Sequence, residues 1–241
     1  MGIVGCICAF ESEATIGRTI KSLDGVVDRI ILVDGSWEGF ADYPCSKDQT
    51  ITIAYNATVP TIVVKNGTGK PYSSEMTKRN MYLAEGLVDS GEWLLIIDDD
   101  EYVTQGGPQL RKYLLSSECQ SQHHSVVVWK RNTHDPDSWL RMGEYVRLFR
   151  YIPKMHYGVN PWTIEIPNAP SLPIVSELTP IPLHIANDQE TKGQKYLEMK
   201  DEARIKGCFG KVDVSPKVEK IVESNSAEKP KRKRGRPRKI Q

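Results

Sequence analysis

The sequence predicts an α/β fold built on a mostly parallel central sheet. Three short apolar runs without polar alternation, Gly2–Phe10, Arg29–Val33 and Glu92–Ile97, are typical of strands buried on both faces of a parallel sheet. Segments with helical spacing of apolar residues separate these runs, as in repeated strand-helix units. The 39% apolar and 26% charged residues are ordinary for a globular protein, so a packed core is expected.

The first strand-helix unit occupies the start of the chain. Gly2–Phe10 is its strand, and Ala14–Leu23 is its helix, which ends at a turn signal. Arg29–Val33 is the second strand, and it stops at the turn-rich cluster Asp34–Ser36. Functional side chains of α/β folds commonly lie just past such strand ends, so this cluster is a candidate site.

The middle of the chain contains further elements of both types. Thr50–Ala54 and Thr61–Val64 are predicted as short strands, and Ser73–Ser90 is predicted as a helix that ends at a glycine. Glu92–Ile97 is the strongest strand prediction in the sequence. It runs directly into four consecutive acids, Asp98–Glu101.

The rest of the folded part is predicted to contain two helices and two strands. These are Pro108–Leu115, Ser125–Trp129, Tyr145–Arg150 and the amphipathic helix Gln189–Lys206, with a proline-punctuated stretch from Pro153 to Pro182. From about Lys211 onward aromatic residues vanish and charge dominates. We therefore expect one folded domain over residues 1–210, and a disordered linker with a basic tail over residues 211–241.

Asp98, Asp99 and Asp100 crowd together at the end of a buried strand. Neighbouring carboxylates repel one another unless a cation neutralises them or they turn into water. A hard divalent ion such as Mn²⁺ or Mg²⁺, held by one or two carboxylates and completed by substrate phosphates, would remove this cost. An exposed acidic turn that caps the next helix is the alternative interpretation.

Two further positions carry candidate side chains. Asp34, with Ser36 and Glu38 after it, could accept hydrogen bonds from a nucleoside, or it could simply form a turn. His184 lies within the apolar, strand-like run PLHIA. A lone histidine in such a run is more often a satisfied core residue than a metal ligand.

Three basic residues lie between strands that should be neighbours in the sheet. Lys70, Lys78 and Arg79 could therefore face a diphosphate, to which both residue types make charge-assisted hydrogen bonds. Ordinary exposed charges are the alternative interpretation of each of them.

These features, in this order, resemble the family 2 glycosyltransferases of the GT-A fold. The matching stretches are CICAFESEATIGRTIKSL, IILVDGSWEGF, TKRNMYLAEGL and WLLIIDDDEYV, followed by EYVRLFRY and PLHIA. The resemblance covers roughly residues 2 to 207. It implies a three-layer α/β/α sandwich with a mostly parallel sheet. It also implies a metal-assisted, inverting transfer of a sugar from a nucleotide-diphosphate donor to a hydroxyl acceptor.

The resemblance assigns roles to the acids after the strand Glu92–Ile97. Asp98 and Asp100 would form the D-x-D pair that holds Mn²⁺ or Mg²⁺, with Asp98 nearer the ribose of the donor. Asp99 would be one of the donor-binding residues. His184, much later in the chain, would be a further ligand of the metal.

The resemblance also places the nucleoside and the diphosphate. Asp34 would contact the base, Glu11 would lie beside the nucleoside, and Arg79 would lie near the diphosphate. The segment 33–39 is one residue shorter than the common family version, in which a second polar residue follows the first Asp. The base contacts therefore depart from the family pattern.

An inverting transfer needs a carboxylate that deprotonates the acceptor hydroxyl as this hydroxyl attacks the anomeric carbon. Glu165 lies where the family often carries an acceptor-side acid, and Asp137, Asp135 and Glu144 are rivals for the role. A strand-end surface acid is the alternative interpretation of Glu165. Asp188 fits a helix N-cap instead.

The C-terminal tail differs in charge from the rest of the chain. Residues 229–241 hold 8 of the 32 Lys and Arg residues and no acid, which leaves 24 basic against 31 acidic residues elsewhere. The core of the tail, Arg234-Gly235-Arg236-Pro237, resembles an AT-hook, whose arginines lie in the narrow minor groove of A·T-rich DNA. A solubilising or localisation tail that adheres to any polyanion is the alternative.

The sequence thus leaves two classes of function open. One is a glycosyltransferase whose acceptor could be DNA, and the other is a catalytically inactive scaffold of the same fold whose tail binds DNA. A nucleotidyltransferase and a dinucleotide oxidoreductase are disfavoured because no glycine-rich phosphate loop follows a strand. Five cysteines without a C-x-x-C pair, no long apolar span and no signal-peptide pattern lead us to expect a cytoplasmic protein with reduced thiols.

Overall fold

The computed structural model describes residues 2–117, 119, 125–126, 128–131, 139–141, 147–158, 164–166, 183–187 and 198. By its internal contacts the chain divides into two units, Met1–Lys211 and Val212–Gln241. The second unit, which contains the basic tail, lies outside the described residues. All of the elements named here therefore belong to the first unit.

The described elements alternate between strands and helices in the first half of the chain. In chain order they are β1 Ile3–Ala9, α1 Ile16–Ser22, β2 Arg29–Asp34, α2 Thr50–Tyr55, β3 Thr61–Lys65, α3 Glu75–Asn80, a 3₁₀ turn Met81–Leu83, β4 Trp93–Asp98, β5 Glu101–Gln105, α4 Gly107–Leu114, β6 Ser125–Val126, β7 Val128–Arg131, β8 Trp139–Arg141, β9 Leu148–Arg150, β10 His156–Tyr157, β11 Ile164–Glu165 and β12 Leu183–Asn187.

The central sheet has six strands in the order β3-β2-β1-β4-β9-β6. Strands β3, β2, β1 and β4 are parallel, whereas β9 is antiparallel to β4 and to β6. Cys8 of β1 lies opposite both Val33 of β2 and Asp98 of β4. The predicted α/β fold with a mostly parallel sheet is confirmed, and the carboxyl ends of β1, β2 and β4 meet at one edge.

Both faces of this sheet are covered. On one face Ile3 and Ile7 of β1 pack in a cluster with residues of α1, α2 and α4. On the other face Val4 and Cys6 pack with Tyr82 of the 3₁₀ turn and its neighbours. Burial on both faces explains why these strands are continuous apolar runs, and it produces the three-layer α/β/α arrangement.

Two smaller sheets lie beside the central one. Strands β5, β12, β7 and β8 form a four-stranded sheet in that order, and β10 pairs with β11 as an antiparallel hairpin. The strand-like run around His184 is confirmed as β12. Strand β5 was not predicted: after Asp99 and Asp100 the chain turns and continues as a strand from Glu101, so no helix follows the acids directly.

The prediction of a strand at Thr50–Ala54 is wrong. This segment forms the helix α2, and Asp48 accepts a hydrogen bond from the N–H of Thr50 in its first turn at 2.9 Å. Strands β2 and β3 are parallel, so the chain must cross over between them, and such crossovers are usually helical. This tertiary requirement overrides the local preference of alternating Thr and Ile for strands.

The predicted helix Ser73–Ser90 is shorter in the structure. It comprises α3 and the 3₁₀ turn, and the backbone is already extended at Ala84. The side chain of Ser74 caps α3 by accepting a hydrogen bond from the N–H of Thr77 at 3.1 Å. The predicted strand Ser125–Trp129 is divided between β6 and β7, which belong to different sheets.

The remaining predictions are met only in part by the described residues. Pro108–Leu115 and Tyr145–Arg150 correspond to α4 and β9 with shifted ends. The predicted helix Gln189–Lys206 lies outside the described residues, apart from the helical Glu198.

Candidate functional site

Three acids lie at the carboxyl edge of the central sheet. Asp34 ends β2 and Asp98 ends β4, while Glu11 lies two residues beyond the end of β1. Because β1 lies between β2 and β4, the parallel register brings these chain segments to one edge. This edge is the usual ligand-binding position of an open α/β sheet.

Asp98 lies between two arginines. Its Oδ1 atom is 3.3 Å from Nη2 of Arg79, and its Oδ2 atom is 3.1 Å from Nη2 of Arg147. The side chain of Asp98 is 26% exposed, whereas both arginine side chains are 7% exposed. The two guanidinium groups stabilise the negative charge of this partly exposed carboxylate.

Each arginine is also held by a glutamate. Arg79 donates from Nε to Oε1 of Glu75 at 3.0 Å, one helical turn earlier in α3. Arg147 donates from Nη1 to Oε2 of Glu101 at 2.8 Å. Burial lowers the pKa of Arg147, but the charges of Asp98 and Glu101 outweigh burial and raise this pKa above its ordinary value.

The other two acids of the cluster are buried. The carboxylate of Asp99 accepts a hydrogen bond from the hydroxyl of Ser12, and its carbonyl accepts one from Oγ1 of Thr19 at 3.0 Å. Asp100 is buried as well. The acids therefore do not form the exposed turn that was the alternative interpretation of this cluster.

The described part of the chain contains carboxylates at this edge but no complete protein cage for a metal. Among the residues that it describes, no group of three or more His, Cys, Asp or Glu could hold a metal ion. The backbone of His184 lies in β12, opposite Gln105 of β5 and Trp129 of β7. A divalent ion at Asp98 and Asp100 would complete its coordination with phosphate, water or other side chains.

Asp34 and Glu11 both bind the segment Ser46–Lys47. The fully buried Asp34 accepts hydrogen bonds from the hydroxyl and the N–H of Ser46 at 2.5 and 3.1 Å. Glu11 donates its N–H to the hydroxyl of Ser46 at 2.9 Å and accepts from the N–H of Lys47 at 2.8 Å. Glu11 has a positive φ of 51°, a strained value for a residue with a side chain.

The pKa of the Asp34 carboxyl is raised above its ordinary value. Burial is the main cause, and the hydrogen bonds from Ser46 and the positive charge of Lys78 oppose it only in part. Lys78 donates from Nζ to the carbonyl of Ala9 at 2.9 Å, at the end of β1. Lys78 and Arg79 are both buried, so the exposed-charge interpretation of these two residues is wrong.

Glu165 lies on the β10–β11 hairpin, directly opposite His156. Its Oε2 atom is 3.5 Å from Nε2 of His156, and both side chains are nearly half exposed. The carboxylate also lies over Gly158, where any side chain would collide with it. Asn80, the residue after Arg79, fastens this hairpin to α3 through two hydrogen bonds with the backbone of Tyr157, at 2.7 and 3.0 Å.

Some predicted site residues lie outside the described residues. They are Asp137 with its rivals Asp135 and Glu144, and Arg234, Gly235, Arg236 and Pro237 of the tail.

Sequence reasoning missed Arg147, Glu101 and Ser46 as parts of this edge. Arg147 stands directly before a strand that pairs with β4, so the only signal was a lone arginine beside the apolar pair Leu148–Phe149. None of the described helices is long and apolar enough to cross a membrane.

Comparison with known proteins gave matches only among solved structures. No model of a known protein family matches the chain, and no curated protein matches it. The structure of TarS residues 1–349 from S. aureus in complex with UDP-GlcNAc is 18% identical, with a TM-score of 0.43, over 60% of this chain and 38% of that one.

Two further matches have similar extents. TarS residues 1–349 in complex with UDP is 17% identical, with a TM-score of 0.40, over 60% of this chain and 39% of that one. Glucosyl-3-phosphoglycerate synthase from Mycobacterium tuberculosis, in complex with Mn²⁺, UDP and glucosyl-3-phosphoglycerate, is 19% identical, with a TM-score of 0.35, over 54% of this chain and 43% of that one. The matched part thus spans less than half the length of each of these chains.

Proposed function

We propose that this protein is a glycosyltransferase that moves a sugar from a nucleotide-diphosphate donor to a hydroxyl acceptor. The observation that carries the proposal is the partly exposed carboxylate of Asp98 between the buried Arg79 and Arg147, at the carboxyl edge of a parallel sheet. Such an edge offers both hydrogen-bond acceptors for sugar hydroxyls and positive charge for phosphates. The sequence resemblance to family 2 glycosyltransferases supports the same activity.

Different side chains at this edge would bind different parts of the donor. Asp98 would accept hydrogen bonds from the donor's ribose hydroxyls, and the buried Asp99 would hold the turn that follows through its hydrogen bond with Ser12. Arg79 would stabilise the negative charge that grows on the leaving diphosphate as the glycosidic bond breaks. Asp34 and Glu11 are engaged by Ser46 and its neighbour, so they would shape the nucleoside site through that segment.

Asp98, Asp100 and His184 are the proposed ligands of a divalent ion, Mn²⁺ or Mg²⁺. Carboxylate oxygens suit such hard ions, which commonly take one or two carboxylates and complete their coordination with substrate phosphates and water. The donor set present therefore fits the ion as part of a complex with the nucleotide. When bound, the ion would offset the charge of the leaving diphosphate.

Glu165 is the proposed catalytic base, with Asp137 as the second candidate. In an inverting transfer the acceptor oxygen forms a bond to the anomeric carbon while the bond from that carbon to the diphosphate oxygen breaks. The acceptor proton passes to the carboxylate. The exposure of Glu165 supports this role, because an acceptor must be able to reach the base.

For the acceptor we propose DNA that carries a hydroxylated base. The support is the basic tail, in which Arg234, Arg236 and Pro237 fit an AT-hook pattern. The target base would have to be flipped out or presented in a single strand. The test compares the full chain with a chain that ends at residue 228 on hydroxymethylated duplex DNA, and equal transfer by both would exclude a role for the tail.

The donor site is tested by calorimetric titration of UDP and GDP, with and without Mn²⁺. The wild type should bind one nucleotide in a metal-dependent manner, and the double variant Asp98→Ala, Asp100→Ala should lose this binding. The matched control, Asp24→Ala with Glu85→Ala, removes two exposed acids away from the edge and should bind as the wild type does. No binding of either nucleotide by the wild type would favour the inactive scaffold whose tail binds DNA.

A further inference from the structure

We propose that Arg147 and Glu101 are positioning residues that orient the carboxylate of Asp98 for the donor. The inference rests on the proposed function, because binding of the donor nucleotide is the property that the two residues would control.

The three residues form a closed ring of hydrogen bonds. Glu101 accepts from the N–H of Asp98 at 2.9 Å and from Nη1 of Arg147 at 2.8 Å. Arg147 then donates from Nη2 to Oδ2 of Asp98 at 3.1 Å. The backbone and the side chain of Asp98 are thus held by the same pair of residues, which restricts the direction in which its carboxylate faces.

The three side chains of the ring differ in how far they are buried. Glu101 is 1% exposed and Arg147 is 7% exposed, whereas Asp98 is 26% exposed. The support is therefore internal, and only the supported carboxylate reaches the surface. A ligand at this edge would meet Asp98 before it met either of the residues that hold it.

The ion pair of Arg29 with Glu92, elsewhere in the same sheet, shows an arginine whose hydrogen bonds to carboxylates go to a single acid. Arg29 directs Nη1 and Nη2 to the two oxygens of Glu92 at 2.6 and 2.7 Å. Arg147 also approaches both oxygens of Glu101, from Nη1 at 2.8 Å and from Nη2 at 3.4 Å, but it divides Nη2 between Glu101 and Oδ2 of Asp98, which is closer at 3.1 Å. A buried ion pair contributes little net stability, so this division is better explained by the orientation of Asp98 than by stability.

Arg79 alone would not hold Asp98 in the same direction. It approaches the other oxygen, Oδ1, from α3, and it is held there by Glu75. Without Arg147 the carboxylate would be drawn toward Arg79. A lysine at position 147 has the charge but lacks the planar fork of donors, so it would serve one acid and not both.

The experiment is a double-mutant cycle on nucleotide affinity. The dissociation constant of UDP or GDP, whichever the wild type binds, is measured by calorimetry for Arg147→Met, Asp98→Asn and the double variant. Arg147→Met should weaken binding about tenfold, and Asp98→Asn should weaken it at least as much. The double variant should bind no more weakly than Asp98→Asn, because Arg147 acts through Asp98.

A second pair of variants separates orientation from stability. Arg147→Lys should weaken nucleotide binding less than Arg147→Met does, and it serves in the cycle if the methionine variant does not fold. Arg29→Met, at the opposite edge of the sheet, should lower the thermal midpoint and leave the dissociation constant unchanged.

Two results would overturn the inference while the proposed function stands. One is wild-type affinity in a folded Arg147→Met protein. The other is a double variant whose loss equals the product of the single losses, which would mean that Arg147 acts on the nucleotide independently of Asp98. If the wild type binds neither UDP nor GDP, the proposed function fails and the inference fails with it.

Discussion

The two edges of the central sheet carry similar residues in different arrangements. At the amino edge two acids each pair with an arginine of their own: Glu92 pairs with Arg29, and Asp28 pairs with Arg111. These hydrogen bonds are the main reason that the pKa values of Glu92 and Asp28 lie below their ordinary range. Charge at this edge is therefore neutralised pair by pair.

At the carboxyl edge the charges are shared among several residues. Asp98 is held by two arginines, and Arg147 serves two acids. Asp34 is fully buried, and burial raises the pKa of its carboxyl instead of lowering it. The comparison teaches that the amino edge neutralises its charges in separate ion pairs, whereas the carboxyl edge retains charge that a ligand can use.

The largest expected difference between the edges comes from removing one glutamate at each. Glu101→Ala leaves Arg147 buried without this partner, and it should lower the free energy of unfolding by about 3 to 5 kcal/mol. Glu92→Ala should lower it by about 1 to 2 kcal/mol, because Arg29 can turn into water. Chemical denaturation measures both values, and equal losses would contradict the contrast between the edges.

A smaller effect on stability is expected from removing the hydroxyl of Ser46, which links two acids of the carboxyl edge. Ser46→Ala removes the hydroxyl that donates to Asp34 and accepts from the N–H of Glu11, and it should lower the free energy of unfolding by about 1 to 2 kcal/mol. Ser73→Ala removes an exposed hydroxyl and should stay within about 0.5 kcal/mol of the wild type. Indistinguishable urea midpoints for the two variants would show that Ser46 does not hold this edge together.

The smallest expected effect is a difference in the pH dependence of stability. The pKa of Glu92 lies below its ordinary value of 4.5, so its contribution is present above about pH 4.5 and is lost as the pH falls through the lowered value. The pKa of Asp34 is raised above 3.8, so the folded protein takes up this proton first and gains relative stability as the pH falls.

Two substitutions distinguish the opposite effects that Glu92 and Asp34 have on stability as the pH falls. With Glu92→Gln the free energy of unfolding should fall less steeply as the pH is lowered, because the contribution of Glu92 can no longer be lost. With Asp34→Asn it should fall more steeply, because the protonation of Asp34 no longer adds stability. Denaturation curves from about pH 7 to about pH 3 measure both slopes. Slopes that change in the same direction would show that the two edges do not differ in this respect.

The sequence predicted the centre of the fold because its central strands are buried on both faces. β1, β2 and β4 are apolar runs long enough to be recognised without any neighbour, and the position of Asp98 follows from the end of β4. The helix α2 was mistaken for a strand because its Thr-Ile alternation is a local pattern, whereas the crossover that it makes is a property of the whole sheet.

The partners of Asp98 could not be predicted in the same way. Charges on a helix are usually exposed, so nothing in the segment around Lys78 and Arg79 indicates that both are buried. The contact of Arg147 with Asp98 joins residues 49 positions apart and depends on β9 pairing with β4. Such pairing follows from tertiary structure and leaves no periodic pattern in the sequence.

The antiparallel direction of β9 has a consequence for how the site is assembled during synthesis. A parallel strand brings its last residues to this edge, but β9 runs the other way and brings Arg147, which immediately precedes its first residue. A nascent chain that has emerged only as far as β5 already contains Glu11, Asp34 and Asp98. It still lacks Arg147, which orients Asp98. The acids of this edge are therefore all present well before the carboxylate of Asp98 is held in its final direction.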